Sequence, residues 1–227
     1  MNTETTRTGL ELRSMVIPEG SLELSLQEVT IPEPGPNEIV IRVEASPLNP
    51  SDLGLLFAGA DMSTANVSGS AQSPVVTAPL DPGSMRALAA RVGASLTVGN
   101  EGAGTVIAAG SSEAAQALLG RTVAVAGGSM YCQYRVVDAF MALALPDGMP
   151  ARVGASSFVN PLTALGMVAT MRRENHTALV HTAAASNLGQ MLVRLCAEEN
   201  VPLVNIVRKP EQEATLRSLG AQYVHNS

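Results

Sequence analysis

Residues 177–209, TALVHTAAASNLGQMLVRLCAEENVPLVNIVRK, constrain the fold more than any other stretch of the chain. An apolar strand, a turn of small residues, a helix with one apolar face and a second apolar strand follow without a gap, the pattern of a nucleotide-binding βαβ unit. Folds of this kind hold a pyrophosphate over the helix N-terminus and read the adenine-side ribose about 20 residues further on. Here the second strand closes on Arg208-Lys209. An Asp or Glu at that place would hold the 2′-hydroxyl of NAD, whereas two cations favour a 2′-phosphate, and so NADPH.

The turn itself is Ala183-Ala184-Ala185-Ser186-Asn187-Leu188-Gly189, in which only the last glycine of the usual fingerprint survives. Alanine keeps the backbone approach close, and Asn187 is expected to supply a positive φ if the turn needs one. The amides from Ser186 to Gly189 are expected to open a helix N-terminus toward an anion. A plain strand-to-helix connection with a solvated Arg208 is the competing reading, and the spacing of Arg208 from the turn favours the nucleotide. Candidate cofactor contacts are therefore Ala184, Ala185, Ser186, Asn187, Leu188, Gly189, Arg208 and Lys209.

With 46% hydrophobic and 15% charged residues in 227, the chain can bury a substantial core as one large or two modest domains. A net charge of −6 with scattered basic residues leaves no electrostatic footprint for nucleic acid. No apolar run is long enough to span a bilayer, and the opening MNTETTRTGLELRS has neither the basic start nor the apolar core of a secretory leader. A cytoplasmic protein, with no membrane partner, is expected. Cys132 and Cys196 are read as two reduced, partly buried thiols rather than a disulfide scaffold.

Residues 1–150 show short alternating or β-branched runs, LELSLQEV, EIVIRVEA, GTVIAAG, RTVAVAG and QYRVVDA, punctuated by Pro and Gly, which predicts a β-rich domain. Residues 58–98 interrupt that rhythm with a Ser, Ala, Thr and Gly-rich insertion that lacks a hydrophobic period and is expected to be mobile. Within it, Asp81-Pro82 and Gly93 bracket a short helix near 82–92. Residues 151–227 form the second predicted domain: a helix capped at Asn160, the βαβ unit, a helix from Pro210 to Gly220 and the strand fragment AQYVHN. A complete dinucleotide fold has two such halves, and only the first is written here. One edge of strand TALVHT is expected to lack a partner, which points to a partial chain or one completed by another copy.

The stretches ASPLNPSDLGLL at 45–56, GNEGAGTVIAAG at 99–110 and VNPLTALGMV at 159–168, followed in order by AAASNLG, resemble the medium-chain dehydrogenase/reductase family. The resemblance is to its zinc-independent, NADPH:quinone oxidoreductase-like branch. It implies an α/β protein with a GroES-like β domain followed by a Rossmann-type domain, and homodimers are common in the family. Zinc-dependent members carry a Cys-His pair where this chain has Asn49-Pro50, and a His where it has Asn100, so no metal ligand set is expected.

Without a Lewis acid, hydride transfer to an electron-poor acceptor, a quinone or an enone, is the expected chemistry. The resemblance places Asn49, Asp52, Asn100 and Tyr131 at the catalytic centre, and Thr163 on the carboxamide side of a nicotinamide. Local turn, cap and surface roles compete with each of these assignments. Enoyl thioester reductases of the same family are a second implied activity. Those carry a tyrosine shortly after the NPSD motif, where this chain has Phe57-Ala58-Gly59-Ala60. A non-catalytic NADPH-binding relative is the third reading.

Overall fold

A computed structural model describes residues 7–227, so the first six residues of the polar N-terminal stretch lie outside the described residues. The chain divides into two compact units between Ser157 and Phe158.

The first unit opens with β1 (Thr8–Ile17), β2 (Ser21–Thr30), β3 (Glu38–Ala45) and the helix α1 (Pro50–Phe57). Then come β4 (Asn66–Gly69), β5 (Pro74–Pro79), α2 (Pro82–Ala87), β6 (Ser95–Thr97) and β7 (Glu101–Ala109). It ends with α3 (Glu113–Gln116), β8 (Thr122–Ala126), β9 (Tyr134–Asp138), β10 (Ala142–Ala144) and α4 (Ala151–Gly154). The strands build two antiparallel sheets, ordered β4-β5-β2-β1-β6 and β10-β8-β7-β3-β9. In the second sheet Ile39, Ile41, Val106, Val123, Val125 and Met130 form one core cluster. Ile39, Val40 and Ile41 are all buried, because α4 covers the opposite face of β3, β7 and β8. The alternation of EIVIRVEA thus gives way to a run buried on both faces.

Residues 58–98 are ordered into elements rather than left as an irregular insertion. The β4–β5 hairpin extends the first sheet through the pairing of β5 with β2. All four residues of β4 are exposed at the sheet edge, so no apolar period marks the strand. Asp81 caps α2, its Oδ1 accepting from Gly83 N at 2.7 Å and Ser84 N at 3.1 Å, and a 3-10 turn follows at Ala89–Arg91. Arg91 then donates from Nη2 to Leu55 O at 2.9 Å, satisfying a carbonyl near the C-terminus of α1.

A bulge in β3 aims the chain toward α1. Val43 pairs with Gly104 and Ala45 with Ala103, so Glu44 is the extra residue. A side chain at Gly104 would put its Cβ 2.0 Å from Arg42 O, a distance only glycine avoids.

The second unit contains α5 (Val159–Arg173), β11 (Leu179–His181), α6 (Asn187–Glu198), β12 (Leu203–Val207), α7 (Pro210–Ser218) and β13 (Tyr223–Asn226). The strands are parallel in the order β11-β12-β13. Its core joins Ala164, Val168 and Met171 of α5 to Leu192, Val193 and Cys196 of α6, with Leu203, Val207 and Leu216. β11 has β12 on one side and, among the described residues, no strand on the other. The helix α5 begins earlier than the Asn160 cap predicts. Phe158 is its N-cap, and Pro161 sits in the first turn, where a missing N–H leaves no helical bond unmade. No helix among the described residues is long and apolar enough to cross a membrane.

Gly104→Ala forces β3 and β7 apart at the bulge and is expected to lower stability by roughly 1–3 kcal/mol. Gly54→Ala, in α1 with nothing near the added Cβ, is expected to be neutral or stabilising. Urea denaturation of both variants checks the pair; equal midpoints would contradict the close approach at Gly104.

Candidate functional site

Two groups of candidate residues lie in different units. In the first unit, the N-terminus of α1 meets the start of β7. Asn49 is the N-cap of α1 and Asp52 lies in its first turn. Asp52 Oδ2 accepts from Asn49 N at 2.8 Å, and its Oδ1 accepts from Asn100 N at 2.9 Å. Asn100 Nδ2 donates to Ser51 Oγ at 2.9 Å, a second tie between the same two segments. Asn49 Nδ2 donates to Glu101 Oε1 at 3.0 Å. Asn49, Asp52 and Glu101 are all buried.

Tyr131 completes this group, its hydroxyl donating to Pro47 O at 2.9 Å. Burial first, and the Asp52 carboxylate second, push its phenol up to about 12. The phenol therefore keeps its proton throughout the neutral range and acts as a hydrogen-bond donor. The structure thus brings Asn49, Asp52, Asn100 and Tyr131 together around one carboxylate. Both Asp52 oxygens accept backbone N–H groups, which suits a positioning role.

Glu101 belongs to the same cluster and was not singled out from the sequence. Its only signal there is its place in GNEG, and a lone acid at a strand start reads as a surface residue. The fold instead buries it fully against Asn49.

In the second unit, a cavity of about 290 Å³ lies at the C-terminal ends of β11 and β12. Its lining includes Ala183, Ala184, Ala185 and Ser186 from the turn, with Arg208 and Gln212 from the end of β12 and the start of α7. Such a crevice at the carboxyl ends of parallel strands is where open α/β sheets bind ligands. Ser186 is the N-cap of α6, its Oγ accepting from Gly189 N at 3.1 Å. A Cβ on Gly189 would lie 2.1 Å from Ala184 O. The surviving glycine therefore packs helix against turn, the third of the fingerprint's three glycine functions.

The turn needs no left-handed residue. No residue from Ala183 to Gly189 has a positive φ, and Asn187 is simply the first residue of α6. This corrects the expected use of Asn187 and accounts for the missing glycines. The amides of Ser186 and Gly189 are also used within the turn, by Ala183 O and Ser186 Oγ, so Asn187 and Leu188 head the helix instead. Arg208 and Lys209 are exposed and, among the described residues, have no carboxylate partner. Thr163 Oγ1 donates to Val159 O at 2.6 Å within α5.

The cysteines offer no thiolate. Burial pushes Cys132 up to about 11 and raises Cys196 as well, and both are free thiols. Among the described residues no group of three or more His, Cys, Asp or Glu side chains is placed to hold a metal ion.

Comparison with known proteins follows the same division. Residues 35–181 match the family model of the alcohol dehydrogenase GroES-like domain. The mitochondrial enoyl-[acyl-carrier-protein] reductase of Xenopus tropicalis is 26% identical over 208 residues, covering 88% of this chain and 51% of that protein. A Mesorhizobium loti structure assigned to the NADPH:quinone reductases is 28% identical, with a TM-score of 0.64 over 100% of this chain and 62% of its own. The Escherichia coli quinone oxidoreductase complexed with NADPH shares the fold at 21% identity, with a TM-score of 0.63 over 97% of this chain and 58% of its own. The chain spans about half the length of the curated relatives it matches.

An alkaline titration of tyrosine absorbance, with circular dichroism to follow the fold, tests the site around Asp52. Of the three tyrosines, Tyr131 is expected to ionise last, near pH 12, and Tyr131→Phe to remove that late phase. Its folded pKa lies above the ordinary 10.0, so the stability held by the neutral phenol is full below that value and lost as pH rises through the folded one. All three tyrosines titrating together near 10 would contradict the assigned environment.

Proposed function

The chain belongs to the alcohol dehydrogenase GroES-like domain family, among the medium-chain dehydrogenases/reductases, and on that premise we propose an NADPH-dependent reductase of quinones or conjugated carbonyls. The cavity beyond β11 and β12 carries this reading, because it joins a close-packed helix N-terminus to an unpaired cation at the ribose position. Ala184, Ala185, Ser186, Asn187 and Leu188 would face the pyrophosphate, and Gly189 lets the helix approach. Arg208 and Lys209 would face the 2′-phosphate, and Thr163 the nicotinamide carboxamide. NADPH, when bound, supplies the hydride.

The first unit would supply the acceptor side of the reaction. An electron-poor carbonyl gains charge at oxygen as hydride arrives at the conjugated system, and hydrogen-bond donors at that oxygen lower the barrier. Tyr131 holds a phenolic proton at neutral pH, and Asn49 and Asn100 bring amide donors, all positioned through Asp52. These side chains offer amides, carboxylates and a phenol, without thiolate or imidazole. That donor set supports a reaction run without zinc.

Enoyl thioester reduction is the second reading, favoured by the 26% identity to the Xenopus tropicalis enoyl reductase. It shares the conjugated acceptor and the hydride donor. Residues 57–60 hold no tyrosine, and Tyr131 would have to serve as the hydroxyl near the substrate.

Incubation with NADPH and a panel of quinones, enones and trans-2-enoyl thioesters, followed by the absorbance of the reduced nicotinamide, tests the proposal. Oxidation above the protein-free rate with quinones or enones is expected, and Tyr131→Phe is expected to lower kcat by about 10- to 100-fold. Turnover confined to enoyl thioesters would favour the second reading; binding of NADPH without turnover of any acceptor would overturn both.

A further inference from the structure

We propose that Gln212 decides between NADPH and NADH, holding the 2′-phosphate through its side-chain nitrogen beside Arg208; the inference rests on the dinucleotide reading of this cavity. Gln212 lies in the first turn of α7 and lines the cavity together with Arg208. Its Oε1 accepts from the backbone N–H of Arg208 at 3.1 Å. That bond fixes which way the amide points, because an NH2 group cannot accept from an N–H. The two hydrogens on Nε2 are then the side of the group left for a ligand, and Gln212 makes no other hydrogen bond among the described residues.

The surroundings of that nitrogen suit an anion. The cavity wall at this end of β12 consists of Ile206, Val207, Arg208 and Gln212, and no carboxylate lines the cavity. The acids of α7 are turned to other uses or other surfaces. Glu213 is paired with Arg217 at 2.8 Å, and Glu211 is exposed and outside the cavity lining. Arg208, Lys209, the Nε2 donors and the positive end of the nine-residue α7 together offer donors and cations without an acceptor. A phosphate satisfies such a set. A free 2′-hydroxyl does not, because its own proton needs an oxygen to receive it, the part played by the acid in NAD-preferring folds.

This makes the discrimination the work of a single polar group. Gln212→Glu is nearly isosteric and keeps an oxygen for the Arg208 N–H, but it replaces the donor nitrogen with a carboxylate oxygen. The changed group repels a 2′-phosphate and accepts from a 2′-hydroxyl. Gln212 could not be picked from the sequence because it lies four residues past Arg208, in a helix whose surface is mostly polar. Only the folded chain brings it back to the strand end.

Fluorescence titrations with NADPH and NADH, on the unaltered chain and on Arg208→Ala, Gln212→Ala and Gln212→Glu, test the inference, with circular dichroism checking each fold. The unaltered chain is expected to prefer NADPH. Gln212→Ala is expected to weaken NADPH about tenfold with NADH changed far less, and Gln212→Glu to invert the preference. If Arg208→Ala abolishes the NADPH preference while both Gln212 variants keep the original ratio, Gln212 is only a cap on the strand end and the inference fails. Loss of both nucleotides in equal measure in the Gln212 variants would overturn it in the same way. If the unaltered chain binds neither nucleotide, or both equally, the dinucleotide reading itself falls and takes this inference with it.

Discussion

A carboxylate removed from water must be met by hydrogen-bond donors, and the first unit is organised around one that is. Asp52 is buried, and its two oxygens take the amides of Asn49 and Asn100. The first of these bonds finishes the N-terminus of α1; the second ties that helix to the strand start 48 residues further along the chain. Asn49 then reaches Glu101, and the same carboxylate contributes to holding the Tyr131 phenol neutral. Removing one partner from such a buried network leaves the others unsatisfied, so its members behave as a unit rather than as separate contacts. The bulge at Glu44, permitted by Gly104, and the clasp of Arg91 on Leu55 O set the two ends of the segment that carries this helix.

The second unit rests on a backbone constraint of a different kind. Helix α6 comes so close to the turn that a single methyl group at Gly189 would strike Ala184 O. The other two glycines of the usual fingerprint are absent because this turn stays on the negative-φ side throughout, where alanine fits as well. Ser186 closes the helix end on its own side chain. What remains open is a cavity with small residues along one wall and Arg208 and Gln212 on the other. The architecture supplies close approach at one end and positive charge at the other, which are the two requirements of a phosphorylated dinucleotide.

Much of this is legible from the residues in order. The βαβ unit announces itself because strand, cap, amphipathic helix and strand are contiguous, and local signals suffice. The GroES-like and Rossmann-type organisation follows from ordered motifs, and the 35–181 match agrees with it. What escapes is whatever depends on distant partners. Glu101 is an unremarked acid until the fold buries it against Asn49, and Gln212 is a helix polar residue until α7 turns back on β12. The β4–β5 hairpin is invisible to hydrophobic patterning because both faces of β4 are exposed. The start of α5 shifts from Asn160 to Phe158 because a proline in the first turn is compatible with more than one cap position. Asn187 misleads in the opposite sense: its tolerance of positive φ is real but unused.

The most direct test of the account is an amide chemical-shift map of the chain on adding NADPH and, separately, NADH. The account predicts that both nucleotides move the amides from Thr182 to Gly189, and that the segment from Arg208 to Gln212 responds strongly only when the 2′-phosphate is present. Shifts clustered away from both segments, or identical maps for the two nucleotides, would contradict it.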